Sequence, residues 1–369
     1  MRRLLYILCL SIAVISCQRR DLIYDYYDTS YCDVTISIDW SVFETRSAYP
    51  TGASVWFYPT DGGTPTKSQS NSISSISASL QEGEYNIVVF NQIPSDFGTI
   101  NFRGDDSYQT VEIYGVDEST KGSWYTRSEE SERVIRDPED FAAIVYEGFE
   151  VSEDMVLVSN ESRSRAVTNS DTRSTVSLKP EMVTNDGTVR IKIQGIENLL
   201  DARGAITGFA EGQVLSQPLA SSTSVTHVLE DYATEGSYGE GELIFTFSNF
   251  GIVGNPDYDT TTDSDILVDD DYSYWSAKLD LEILLVDNAT TLNFEIELDN
   301  DVLVDISGEN SSIYIDIGDG GGVSDNTDFD PDTGITLPEV DKAGGSEGGF
   351  SATVDKWGDT VVTEIPITK

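Results

Sequence analysis

The feature that most constrains this chain is how often apolar residues recur at every second position over short stretches. Cys32 to Trp40 reads CDVTISIDW, with Val34, Ile36 and Ile38 on one face and Thr35, Ser37 and Asp39 on the other. Side chains of a strand alternate between faces, so this is a half-buried strand. Ala53 to Tyr58 (ASVWFY) is the next, closed by Pro59-Thr60-Asp61-Gly62-Gly63, a turn by its residue types. Ser72 to Leu80 alternates again, and Glu82-Gly83-Glu84 reads as the tight turn of a hairpin into Tyr85–Phe90. Thr110–Tyr114 and Ala143–Tyr146 are further strands, with a polar loop over 117–140 between them.

Apolar residues almost vanish over 159–175, which marks a boundary. Beyond it, Val176–Val183 and Thr188–Ile193 flank Asn185-Asp186-Gly187, a hairpin signal because Asp-Gly accepts positive φ cheaply. Ile196–Arg203 is the one short helical stretch. Strands follow at Gly204–Ala210, Ser224–Glu230, Leu243–Phe247, Ala277–Val286, Leu292–Leu298, Val302–Ile306 and Ile313–Ile317. Residues 318–350 are rich in Gly and Asp and lack a core pattern, and Phe350–Ile367 alternates once more. Eighteen Tyr and fourteen Phe, with abundant Val, Ile and Thr, favour strands. The expectation is an all-β chain with two tandem antiparallel β-sandwich domains, at 32–160 and 176–320. A linker at 161–175 joins them, and a Gly/Asp-rich tail at 321–369 carries a final strand that closes the second sandwich or lies across it.

The N-terminus has its own logic. Met1-Arg2-Arg3 precedes twelve apolar-rich residues, Leu4–Ile15, which end in Val14-Ile15-Ser16-Cys17. That run is shorter than the roughly 20 residues a bilayer-spanning helix needs. A small residue just before a cysteine, behind such a run, reads as a bacterial lipobox: residues 1–16 are a signal peptide and Cys17 is acylated. Two acyl chains suffice for stable anchoring. Residues 17–31 form a tether. Cys9 leaves with the signal and Cys17 carries lipid, so Cys32 alone remains and an intramolecular disulfide is excluded. The net charge of −43 becomes still more negative once Arg2 and Arg3 are removed. Such a surface repels phosphate backbones, which excludes nucleic acid as a partner.

No residue set reads as an active site. His227 is the only histidine and sits in a strand, where a partly exposed position is the ordinary expectation. No G-x-S-x-G elbow accompanies it, and one His with one Cys cannot make a zinc site. The 65 acids are too many for a catalytic carboxylate pair to be singled out. Calcium is the one cofactor the acids bring to mind. Asp328, Asp330, Asp332 and Glu339 fall at positions 1, 3, 5 and 12 of an EF-hand loop, but Thr333 stands where the glycine belongs, and Pro331 and Pro338 oppose flanking helices. They remain candidates for an irregular calcium site. Aromatics that could stack on a glycan are Trp40, Trp56, Trp124, Trp275 and Trp357; Trp40 and Trp56 read as core, and Trp124, in a charged loop, is the best exposed candidate.

The string of lipobox, tether DLIYDYYD, Asp39-Trp40, Pro50-Thr51-Gly52 and Trp56-Phe57-Tyr58-Pro59-Thr60-Asp61-Gly62-Gly63 resembles a Bacteroides-type lipoprotein family of unknown function. Glu82-Gly83-Glu84-Tyr85, Val88-Val89-Phe90-Asn91, Phe102-Arg103-Gly104, Ala202-Arg203-Gly204 with Gly208, and Val354-Asp355-Lys356-Trp357 extend the resemblance over nearly the whole chain. That family is similar to the fimbrillin-associated proteins, anchor and accessory subunits of surface fimbriae. The resemblance implies two transthyretin-like (fimbrillin-like) sandwiches, no enzymatic activity, attachment to the outer membrane, and fimbrillin-like subunits as partners that bind by strand addition at a sheet edge. Stalk subunits of such fimbriae mature by proteolysis after an arginine; Arg46, Arg165 and Arg173 are available here, and none is distinguished by its neighbours. The rival expectations are a glycan-binding lipoprotein working with an outer-membrane transporter, and an extracellular hydrolase.

Overall fold

The computed structural model describes residues 31–46, 48–117, 133–157, 159, 174–217, 219–253, 277–298, 303–306, 312–318 and 323–343. Strand dominates them. The first half contains β1 (Tyr31–Ile38), β2 (Ala53–Pro59), β3 (Thr66–Ser70), β4 (Ser75–Gln81) and β5 (Gly83–Asn91). It continues with β6 (Ile100–Arg103), β7 (Glu112–Gly115), β8 (Arg133–Ile135) and β9 (Ala142–Val151). Then come β10 (Ser174–Leu178), β11 (Glu181–Met182), β12 (Asn185–Gln194), β13 (Leu199–Ala210), β14 (Gly212–Val214) and β15 (Leu219–Ala220). The remainder is β16 (Ser224–Leu229), β17 (Tyr232–Ser237), β18 (Glu240–Asn249), β19 (Ala277–Leu285) and β20 (Thr291–Leu298). The last strands are β21 (Leu303–Ile306), β22 (Ser312–Ile317), β23 (Phe329–Asp330) and β24 (Gly334–Thr336). The chain is all-β.

A three-stranded sheet, β10-β1-β4, faces a five-stranded sheet, β11-β9-β5-β2-β3. Between them Val34, Ile36, Val55, Phe57, Ile76, Leu80, Ile87 and Val89 form one core. A second pair, β20-β19-β13-β16-β8 and a sheet built on β17-β18-β12-β22-β21, encloses another core around Ile191, Ile206, Phe245, Leu281, Ile296 and Ile315. Each large side chain buried this way contributes about 1.5–3 kcal/mol. Antiparallel ladders predominate, but β1–β10, β8–β16, β12–β22 and β12–β24 run parallel.

The ASVWFY run of β2 is buried at every residue from Ala53 to Tyr58, rather than at alternate ones. Its sheet is covered on both faces. Val55 and Phe57 point into the first core, while Trp56, Tyr58, Val88 and Phe90 enter a third. There they meet Ile100, Ile113 and Phe141, and also Ala210, Leu215, Val225 and Phe250 from the second half. The four-stranded sheet β15-β14-β7-β6 likewise takes strands from both halves. The two sandwiches are therefore welded by a shared apolar seam.

Several local expectations are corrected. Glu82-Gly83 does not close a hairpin: β4 pairs with β1, whereas β5 pairs with β2 and β9. The bend, with Gly83 at φ +150°, carries the chain from one sheet to the sheet facing it. Asn185-Asp186-Gly187 is not a turn but the start of β12, extended opposite Asn249, Ser248 and Phe247. The glycine is needed there because a Cβ would stand 2.4 Å from the Phe247 ring. Ile196–Arg203 is not helical. A 3-10 turn at Ile196–Asn198 leads straight into β13, whose ladders to β19 and β16 on both sides override a helix-compatible sequence. Val176 and Leu178, expected to open the second sandwich, lie in β10 beside Ile36 and Ile38 of β1. In the tail, Phe329, Ile335 and Leu337 belong to the second core, and β24 pairs with β12. The expected final strand, Phe350–Ile367, lies outside the described residues.

Candidate functional site

The seam carries two clusters of charge. In the first, Glu211, between β13 and β14, is buried between two arginines. Arg133 Nη1 donates to Glu211 Oε2 at 2.8 Å, and Arg103 Nη2 pairs with Oε1. Each arginine keeps a second acid: Arg103 Nε donates to Glu112 Oε2 at 2.7 Å, and Arg133 Nε to Asp117 Oδ1 at 2.8 Å. Tyr114 lies under both guanidinium groups, at 4.9 and 5.9 Å from its centroid. The hydrogen bonds that Arg103 donates to Glu112 and, secondarily, to Glu211 hold its pKa above the ordinary value against the opposing effect of burial. Burial works against Arg133, and Asp117 with Glu211 outweighs it.

The second cluster reverses the signs. Phe43 is drawn into the first core, and the 3-10 turn at Ser41–Thr45 ends at Arg46, whose amide donates to Phe43 O. This swings the Arg46 side chain, 8% exposed, into the seam. Its Nη1 lies 2.7 Å from Asp186 Oδ1 at the start of β12 and 3.4 Å from Asp140 Oδ1. Asp186 turns both oxygens onto Nη1. Burial pushes the Asp140 pKa up; Arg46 opposes the rise and Asp186 adds to it. Arg46 Nε and Nη2 are buried and have no hydrogen-bond partner among the described residues.

This guanidinium stands on the wall of a cleft of about 560 Å³. The cleft is also lined by Tyr49, Gln92, Asp96, Phe97 and Glu139. Tyr49 is half exposed and meets the Phe43 ring edge-on at 6.3 Å. Gln92 is a non-glycine residue at φ +64°, a conformation that clusters at ligand clamps. Glu139 Oε2 accepts from the amide of Gly98 at 2.9 Å. The arrangement holds charge and offers donors and acceptors.

The sequence candidates fall elsewhere. Cys17, Trp124, Trp275, Trp357, Arg165 and Arg173 lie outside the described residues. Trp40 and Trp56 are core, at 2% and 1% exposure. Asp328, Asp330, Asp332 and Glu339 are exposed around the β23–β24 hairpin. Asp330 Oδ1 accepts from the Asp332 amide, and no group of three or more metal-ligating side chains occurs among the described residues. His227, expected to be partly exposed, is completely buried. Its Nδ1 lies 3.2 Å from Asp137 Oδ1, and the Phe209 and Phe247 rings enclose it, because β16 lies between β13 and β8 within its sheet. The Arg46 cluster was not visible in sequence, since Asp186 lies 140 residues away.

Fold and seam define an all-β protein of two welded sandwiches, and among the described residues no helix is long and apolar enough to cross a membrane. The chain belongs to the family described as Domain of unknown function (DUF5119), whose profile matches residues 16–230. No curated protein matches it. A candidate adhesin from Bacteroides ovatus, 18% identical, aligns over 88% of this chain and 98% of its own with a TM-score of 0.54. A candidate adhesin from Bacteroides thetaiotaomicron, 11% identical, aligns over 71% and 78% at 0.43. The fimbrial anchor protein Mfa2 from Porphyromonas gingivalis, 10% identical, aligns over 68% and 76% at 0.36. The first of these shares the fold.

Proposed function

We propose that this chain is a non-enzymatic cell-surface lipoprotein that serves as an anchor or accessory subunit of a fimbria. The observation that carries the reading is the shared fold with the Bacteroides ovatus candidate adhesin, which extends over both sandwiches rather than one. Cys17, placed behind a signal-length apolar run, supplies the outer-membrane attachment, with two acyl chains in place of a spanning helix. Sheet edges supply the route to fimbrillin-like partners. β20 ends its sheet with eight residues, and among the described residues its outer side is met by a bridge from Glu297 to Val323 and by Asn326 Nδ2, which donates to Asn293 O at 2.9 Å. Strand addition at such an edge takes affinity from backbone hydrogen bonds and register from alternate side chains.

Crosslinking of tagged protein in the producing cell, followed by capture from the outer membrane and mass spectrometry, tests the reading. Fimbrillin-like subunits in a ladder are the expected result. Recovery of a transporter with glycan-degrading enzymes would replace it with the glycan-uptake alternative. In parallel, labelled palmitate is expected on the wild type and not on Cys17→Ala; label on both would remove Cys17 from the account.

A further inference from the structure

We propose that the outer edge of β4 is an interface through which two copies of this chain pair, strand against strand and antiparallel, about a two-fold axis at Ser77. This goes beyond the fimbrial reading and does not depend on it.

β4 ends the sheet β10-β1-β4, and among the described residues no strand pairs with its other side. Its register with β1 runs from Tyr31 opposite Gln81 to Ser37 opposite Ser75 without a bulge. The Ile38 amide donates to Ser74 O at 3.0 Å. Opposed residues of an antiparallel pair alternate between bonded and unbonded. Ile76 and Ala78 therefore bond inward to Ile36 and Val34, and the backbone groups of Ser75 and Ser77 point away from β1. The side chains of Ile76, Ala78 and Leu80 are buried, while those of Ser75 and Ser77 are exposed. What the edge offers is backbone.

Proteins blunt such edges with charge, proline or bulges, because an unprotected edge pairs with another chain. Among the other edge strands of five residues or more, β3 carries Lys67, β17 carries Glu235, and β20 carries Glu295 and Glu297. β10 is uncharged but has five residues against the seven of β4. β4 has none of these protections, and no charged residue occurs from Ser68 to Gln81. In a chain of net charge −43, an uncharged flank is where a second, equally acidic body meets least repulsion on close approach.

The strand also suits pairing with itself. With the axis at Ser77, Ile76 stands opposite Ala78 of the second copy and Ser75 opposite Ser79. The first acid beyond the strand, Glu82, then falls opposite Ser72. Turning β20 on itself about Ile296 would instead set Glu295 against Glu297, and directly opposed like charges are destabilising. Because the same edge serves in both copies, the contact closes at two and does not grow into a fibre.

The test is sedimentation velocity of the full chain in a nonionic detergent, over about 1–100 µM, the range expected of a small interface. Ser77→Lys sets two like charges opposite each other at the axis. Thr246→Lys, at an exposed position of β18 away from any edge, adds the same charge elsewhere. A monomer–dimer equilibrium is expected, strengthened by added salt as the repulsion between two acidic bodies is screened. Ser77→Lys should weaken it at least about tenfold, and Thr246→Lys should not weaken it. Ser77→Cys should oxidise to a disulfide-linked dimer and Thr246→Cys should not, which reads the contact without depending on the lysine variant. A monomer throughout, association that weakens with salt, wild-type association in Ser77→Lys, or equal crosslinking at the two cysteines would each overturn the proposal.

Discussion

The two charge clusters of the seam do the same mechanical job with opposite electrostatics. At Glu211 an acid is enclosed by two arginines, and each arginine has a second acid and some access to water. At Arg46 a guanidinium is enclosed by two acids, and the N–H groups on Nε and Nη2 have no partner among the described residues. The difference separates a closed cluster from an open one. A closed cluster has its charged groups met, whereas the open one keeps buried donors without a partner among the described residues. Burial with every partner in place needs no further explanation; burial with unmet hydrogen-bonding capacity does.

The strongest way to break this contrast is to strip Glu211 of its cations. The double substitution Arg103→Met/Arg133→Met leaves a buried, unpaired carboxylate and is expected to cost about 3–5 kcal/mol in urea unfolding. A loss below about 1 kcal/mol would mean that Glu211 reaches water and the cluster is not closed. Next in size is Gly187→Ala, whose Cβ drives into the Phe247 ring beside Asp186. We expect a loss of about 1–3 kcal/mol, largely restored by Phe247→Leu in the same chain. No restoration would place the strain elsewhere.

Arg46→Met should cost only about 1 kcal/mol, because the bare donors disappear with the charge and the two acids retain access to solvent. A loss as large as that of the double substitution would show that the Arg46 edge is partnered after all. The smallest effect is the pH dependence of Asp140. Its folded pKa lies above the ordinary 3.8, so the folded state holds the proton more tightly than the unfolded chain. Wild-type stability relative to Asp140→Asn should therefore rise as pH falls through the raised pKa, and level off below 3.8. A fall in that window would reverse the assigned balance of burial and charge.

Much of the fold was legible where one face of a strand is wet. β1, β19 and β20 alternate cleanly and were read with nearly correct bounds. Turn chemistry is where sequence and structure part. Asp186-Gly187 and Glu82-Gly83 carry the residue types of turns, yet one glycine makes room for a ring sixty residues on and the other bends the chain between sheets. β3 (TKSQS) and β17 (YATEGS) have no apolar alternation to read, because they are edge strands. The seam was illegible for a different reason. Trp56 and Phe90 announce burial, but nothing local says that they meet Ala210 and Phe250. The acids inferred from local spacing, Asp328, Asp330, Asp332 and Glu339, stand exposed, while the cluster that formed joins residues far apart in sequence.

β1 is the first described strand, and ladders hold it on both sides, β4 running against it and β10 along it. A pull applied through the chain upstream of Tyr31 would act along the strand, across the direction of those hydrogen bonds. The bonds would then be sheared together rather than peeled one after another. If Cys17 tethers the chain, as proposed above, a tug by flow would thus meet a strand flanked on both sides, and the grip on the surface would be set by how slowly β1 slides out from between its neighbours.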